Sequence, residues 1–397
     1  LNLRIEMTQN VWILMLAQAF AMCAAPLVVF VGGLIGKQLA SDDTLATLPI
    51  AAMVIGTALA VYPASVIASK IGRKRVFLGA MVLGILASLL AVYALQTESF
   101  VVFVMAAMLV GMVLACVQQF RFAAMESVST DLMPIAASRL LLAGIIAAYL
   151  GPELVTIGQS LHEQTFTGAF YLLAGCFVVA FVLLLFGYRN IEIKHEEGEV
   201  GQRSFSELLS SPGILLAMGS ASVGFAVMSF IMTATPISMV ELNHYSLEET
   251  KWVIQSHIMA MFIPSLFSGW FVRKLGFTSM MWVGLGIYII CLSIAYWDQA
   301  LVHYWGALVL LGLGWNLLFV AGTALLPQMY QANETHRVQG LNDLMVFSAQ
   351  AIASLGSGVL LLLLGWQGIM WVALPMIAVQ AMLLLNWQRN PRLQFLT

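Results

Sequence analysis

Residues 65–77 read "SVIASKIGRKRVF": Lys70, Arg73, Lys74 and Arg75 crowd into a short polar gap between two long apolar runs. A run of about 20 apolar residues spans a hydrocarbon layer of ~30 Å at 1.5 Å per residue. A cluster of lysine and arginine between two such runs marks a tight turn on the cytoplasmic side of a membrane. Residues 269–281, "GWFVRKLGFTSMM", repeat the arrangement: Lys274 and Gly276 follow their apolar run as Lys70 and Gly72 follow theirs. A weaker echo links "SRLLLAG" (138–144) with "HRVQGLN" (336–342), each opening an apolar run behind an arginine, Arg139 and Arg337.

The composition around these turns excludes a soluble globule. Of 397 residues, 61% are hydrophobic and only 9% are charged, against about 25% charged in soluble domains. The hydropathy pattern predicts an all-α integral membrane protein with twelve spans, at 11–36, 46–69, 75–95, 99–124, 138–160, 167–188, 212–240, 250–272, 277–297, 302–326, 338–364 and 366–388. The first run is too long for a cleavable signal peptide. The longest polar stretch, 189–211, divides the chain into an N-terminal six-helix half (1–188) and a C-terminal six-helix half (212–397), and its mixed charge suits a cytoplasmic linker. With both termini cytoplasmic, all seventeen Lys/Arg residues except Lys37, Lys251 and Arg121 fall on the inner side. The four cysteines, Cys23, Cys116, Cys176 and Cys291, lie within spans without a CxxC pair and read as packed thiols.

Two halves of six spans with internal repeats resemble the major facilitator superfamily. Lys70, Gly72, Arg73 and Lys74 match that superfamily's loop between spans two and three, while Ser65 and Ser69 stand where it has glycine and an acidic residue. The resemblance implies a secondary transporter working by alternating access. The serine at 69 implies that the usual acidic contact of that loop is missing.

Ionisable side chains inside spans are costly and point to function. Here they are Arg121, Glu153, His257 and Asp343, with Glu126 at a helix end. Arg121 and Glu126 read as an interfacial pair near the inner end of span four. Glu153, far from both faces, is a candidate proton carrier or a structural hydrogen-bonding acid. Asp343, beside Asn342 early in span eleven, is a candidate gate contact or a cap.

His257 stands in "SHIMAMFIP" (256–264), four residues before Met261, and span seven carries Met228 and Met232 in "FAVMSFIMTATP" (225–236). A Met-x-x-x-Met pair is expected about once by chance in a chain this rich in methionine, and Met108 and Met112 form another. Matched depth is the stronger signal. Counted along antiparallel helices, Met232 and His257 share one level at ~11–12 Å from the outer face, and Met228 and Met261 a deeper one near ~17 Å. If spans seven and eight are neighbours, the pairs stack as two rungs of three thioethers and one imidazole. Thioethers favour Cu(I) over hard cations. No Walker A segment indicates an ATP-driven pump, and no nucleophile–base motif indicates an enzyme.

Met-x-x-x-Met in span seven with His-x-x-x-Met in span eight resembles the signature of the CcoA-type copper importers, a bacterial branch of the major facilitator superfamily. "QQFRFAAMES" (118–127) and "AGIIAAYLGPEL" (143–154) resemble the same branch and its riboflavin-transporting relatives. The resemblance implies copper uptake across the inner membrane for assembly of cbb3-type cytochrome oxidase. Copper would be transported substrate rather than cofactor, a cytoplasmic copper acceptor would receive it, and the chain would work as a monomer in the lipid bilayer without nucleic acid. Two other readings stay open. One is transport of an organic solute such as riboflavin, or drug export, with the methionines as adaptable apolar lining. The other is a membrane copper chaperone that transports nothing.

The charge pattern makes one direct prediction. Reporter fusions after Arg203 and after Arg392 should both behave as cytoplasmic; a periplasmic signal from either contradicts the twelve-span arrangement.

Overall fold

A computed structural model describes residues 8–129, 132–161, 165–189, 203–331 and 334–389. No strand occurs among them, as hydrocarbon requires of an open chain whose backbone polar groups must be satisfied within each segment. The helices are α1 (Gln9–Ala21), α2 (Ala24–Leu39), α3 (Leu48–Ile71), α4 (Arg73–Gln96), α5 (Phe100–Gln118), α6 (Phe120–Glu126), α7 (Met133–Gln159) and α8 (Thr167–Gly187). Then follow α9 (Phe205–Ser210), α10 (Pro212–Ile237), α11 (Leu247–Phe262), α12 (Ser268–Leu275), α13 (Phe277–Trp297), α14 (Leu301–Leu325) and α15 (Thr335–Arg389).

Eleven helical segments of the described chain are long and apolar enough to cross a membrane. The last, Arg337–Arg389, has 53 residues and counts twice. At Gly365 the backbone turns to φ 68°, a left-handed conformation that glycine adopts without penalty. Arg337 donates to the Arg203 carbonyl, and Trp387 reaches Gly213 at the same end. Trp366 Nε1 instead donates to the Ala295 carbonyl near the other end of α13. The chain therefore runs out and back, and the twelve expected spans are present.

Among the described residues, several spans are broken where the hydropathy pattern predicted continuity. The first is interrupted at Met22 and Cys23, between α1 and α2, and the fourth at Gln119, between α5 and α6. The eighth leaves the α-helix at Ile263–Phe267, a 3₁₀ turn containing Pro264, before α12 resumes. The two basic turns carry the same local device: Gly72 (φ 87°) and Gly276 (φ 73°) each separate a helix from the next at a single left-handed residue.

The described residues form two compact units. One holds residues up to Ser41 and from Leu48 to Arg189; the other holds Asp42–Thr47 and everything from Arg203 onward. Small residues bring the helices of each unit into backbone contact, as membrane packing favours. In the first unit a methyl at Gly111 would lie 1.8 Å from the Met53 carbonyl oxygen, so α5 and α3 meet with no room for a side chain. Asn10 ties α1 to the end of α8 by donating to the Arg189 carbonyl and accepting its N–H, each at 2.9 Å. In the second unit α10 is the central helix: 83% of its span is buried, the highest share among the described spans.

The expected linker, 189–211, falls largely outside the described residues. Its last part is not a free tether. Arg203 forms a two-pronged pair with the fully buried Glu334, Nε to Oε1 at 2.8 Å and Nη2 to Oε2 at 2.7 Å. Ser204 then caps α9 through a capping box with Glu207. The Arg203 guanidinium lowers the Glu334 carboxyl from 4.5 to about 2. A carboxyl depressed on folding contributes stability that is complete above its unfolded pKa and is lost as pH falls through the folded one. Thermal melts from pH 7 down to pH 3 should therefore show a steeper acid loss in the parent than in Glu334→Gln; parallel curves would mean the pair holds nothing together.

Candidate functional site

Three helices of the second unit carry the candidate residues. On α10, Ser222, Phe225, Met228, Ser229 and Met232 recur at three- and four-residue spacing and share one face. On α14, Leu308, Gly312, Trp315, Asn316 and Phe319 do the same. On α11 the shared pair is His257 and Met261.

The contact between α11 and α14 fixes the histidine. His257 is fully buried, with Nδ1 2.7 Å from the Leu308 carbonyl oxygen. A carbonyl only accepts, so Nδ1 carries the proton and Nε2 is left as the bare acceptor. Nε2 is buried and meets no hydrogen-bonding partner among the described residues. One turn along, a methyl at Gly312 would sit 2.5 Å from the His257 carbonyl oxygen, so only glycine lets the two backbones close. Asn316, 1% exposed, donates from Nδ2 to the Met261 carbonyl at 2.7 Å and also contacts Ser265 Oγ. It thus supplies a donor where the helical ladder gives way to the 3₁₀ turn.

Met228, Met232 and Met261 are all buried. The Met228 sulfur lies 3.9 Å from Ser229 Oγ, a weak contact. The neighbour relation assumed for spans seven and eight is corrected by the structure. α10 and α11 do not pack along their lengths; α14 packs against both. The reason is the distribution of small residues. Gly312 seats α14 on His257 and Met261, Gly224 seats α10 on Leu318 of α14, and Gly322 meets the Ala217 carbonyl. Among the described residues no group of three or more His, Cys, Asp or Glu is placed to hold a metal. A metal site here would have to be built on thioethers and the one imidazole.

The other singled-out residues lie in different places. Glu153, half-buried in α7, accepts from Thr156 Oγ1 at 3.3 Å. Arg121 is exposed on α6 with its guanidinium 5.2 Å from the Phe122 ring centre. Its expected pairing with Glu126 gives way to another: Glu126 pairs with Arg73 of the basic turn, which also contacts Gln119. An acid at the end of α6 therefore engages the loop whose own acidic position is Ser69. Lys74 donates to the Leu185 carbonyl at 2.9 Å. Lys70 is exposed, and Gly72 provides the turn. Asp343 accepts from its neighbour Asn342 at 3.2 Å.

Reading the sequence for metal ligands missed an aromatic group. Trp315 and Phe319 on α14 stack at 4.9 Å and 12°. Phe225 of α10 meets both edge-on, at 5.1 and 5.5 Å, and Phe262 of α11 approaches Trp315 at 6.4 Å. Trp315 is 5% exposed and its Nε1 has no partner among the described residues; Ser222 Oγ is likewise buried and unpartnered. The available signal was a tryptophan at mid-span, well away from the interfacial belts where tryptophan is common, with an aromatic four residues on.

Comparison with known proteins bears on the whole chain. Residues 14–297 and 216–395 match the Major Facilitator Superfamily profile. The riboflavin transporter RfnT of Brucella anthropi is 32% identical over 374 residues, 94% of each chain. YddS of Bacillus subtilis, an uncharacterized MFS-type transporter, is 27% identical over 365 residues, 87% of this chain and 83% of that one. A solved structure of a bacterial metal transporter superimposes with a TM-score of 0.66, covering 96% of this chain and 99% of the other at 16% identity. That likeness is one of fold alone.

The α11–α14 contact yields a stability prediction. Asn316→Leu leaves the Met261 carbonyl without its donor, at a cost of about 1–3 kcal/mol for a buried polar group. The variant's melting temperature in detergent should drop measurably; an unchanged melt means Asn316 does not hold the break.

Proposed function

Since the chain belongs to the major facilitator superfamily, we propose that it carries a small organic solute of the riboflavin class across a bacterial inner membrane by alternating access, with both termini cytoplasmic. The observation that carries this reading is the 32% identity to a riboflavin transporter over 94% of both chains. The aromatic group on α10, α11 and α14 supports it, because fused planar rings pack on such side chains. The methionines then serve as pliable apolar lining. Glu153 is the group that would carry a coupled proton, as a carboxyl within a span. Thr156 donates to it from one turn on.

Copper import becomes the second reading, since the relative at 32% identity is named for riboflavin rather than copper. It is favoured by one observation: the bare, buried Nε2 of His257 on an α-helix turn that also carries Met261. With Met228 and Met232 these would hold Cu(I) as cargo, passed to a cytoplasmic acceptor. α10 and α11 each pack on α14 rather than along one another, so the two rungs are not the directly apposed pairs that the spacing assumed.

Purified protein in proteoliposomes separates the two. The organic reading predicts saturable riboflavin uptake that Met228→Leu and Met261→Leu leave within about threefold, since leucine roughly conserves volume. Met259→Leu is the control in both readings, and Glu153→Gln should change the pH profile of uptake. Copper uptake lost in Met228→Leu and Met261→Leu, without riboflavin uptake by the parent, would reverse the order of the readings.

A further inference from the structure

The buried polar atoms of the second unit without a partner among the described residues include Trp315 Nε1 on α14, Ser222 Oγ on α10 and His257 Nε2 on α11. Each residue is more than nine-tenths buried. Leaving such a group unpaired costs about 1–3 kcal/mol, more than a helix bundle free to choose an apolar residue needs to bear. His257 is already held through its other nitrogen by Leu308. Trp315 has no such second contact, and its N–H only donates.

The surroundings of Trp315 are those of a ring-binding slot. One indole face is covered by Phe319, and Phe225 closes an edge at 85°. The third ring, Phe262, is the most loosely seated, at 6.4 Å and 64°. Phe262 is half-buried and immediately precedes the Pro264 turn, where α11 changes its helical type. Phe225 and Phe319 are also half-buried. Movement of Phe262, the ring whose centre lies farthest from the indole, would leave Phe225 and Phe319 in place as a wall.

We propose that Trp315 is the specificity-determining residue for the transported solute, stacking beside its fused ring with Phe225 and Phe262 and donating its indole N–H to a carbonyl on the ring's polar edge. This rests on the reading of the chain as an organic-solute transporter. The chemistry selects a planar heteroaromatic ring bearing a carbonyl acceptor. A planar ring without an acceptor would gain only the packing.

The test compares the parent with Trp315→Phe, which keeps an aromatic ring and removes the donor, and with Trp315→Leu, which removes both. Riboflavin uptake into proteoliposomes gives the half-saturation concentration, and N-methylacridinium, a planar fused ring whose quaternised nitrogen accepts no hydrogen bond, serves as competitor. Trp315→Phe should raise the half-saturation concentration for riboflavin about tenfold, the loss of about one buried hydrogen bond. Its maximal rate and its inhibition by N-methylacridinium should stay near those of the parent. Trp315→Leu should weaken both riboflavin and N-methylacridinium. If the parent takes up riboflavin and Trp315→Phe does so with unchanged half-saturation, Trp315 is a packing residue and the inference fails while the functional reading stands. Equal losses for riboflavin and N-methylacridinium in Trp315→Phe also overturn it, since they report damaged packing rather than a missing donor. If the parent takes up no riboflavin, the functional reading itself fails, and this inference with it.

Discussion

The hydrogen bond from His257 Nδ1 to the Leu308 carbonyl, with the Gly312 backbone pressed against the His257 carbonyl one turn away, holds α11 onto α14. Much of the second unit's candidate site depends on that seating. It orients the imidazole so that Nε2, buried, keeps the free lone pair. It places Asn316 over the Met261 carbonyl where α11 breaks. It also brings Phe262 to Trp315. A bulkier residue at 312 would separate the helices and lose all three relations together.

Charge at helix ends is paired within each unit. Arg73 of the first turn is met by Glu126, on a helix that follows it by two spans. Arg203, just beyond the polar segment between the units' sequences, is met by buried Glu334. Both pairs join residues distant in sequence at helix ends, where a charge can be partly hydrated and an ion pair escapes the full cost of burial. Within the spans, Glu153 meets Thr156 on its own helix, while His257 is held across helices by Leu308.

Hydropathy made the span count legible, because a helix must be apolar for the thickness of the membrane and polar beyond it. The Lys-x-Gly repeat at Gly72 and Gly276 was legible for a related reason: each turn needs a left-handed residue, and only glycine supplies it freely. The neighbours of each span were not. A helix apolar on every side has no period that tells which face meets which helix, so depth could be counted along spans seven and eight while their shared packing on α14 could not. The decisive residues, Gly224, Gly312 and Gly322, are unremarkable in a chain holding 32 glycines. The partner of Glu126 was hidden in the same way, since proximity in sequence favoured Arg121 and the folded chain supplies Arg73. Attention to metal-ligating residue types also drew the reading past Trp315 and Phe319, whose spacing was visible throughout.

On the proposed function, this superfamily member recognises a planar organic ring in its second unit, with the thioethers as lining. Equilibrium binding of riboflavin to the purified protein in detergent, read by quenching of flavin fluorescence with Cu(I) present or absent, examines that recognition without the transport step. Saturable quenching that Cu(I) does not displace is the expected result. An absence of quenching, together with saturable Cu(I) binding that His257→Ala removes, would contradict it.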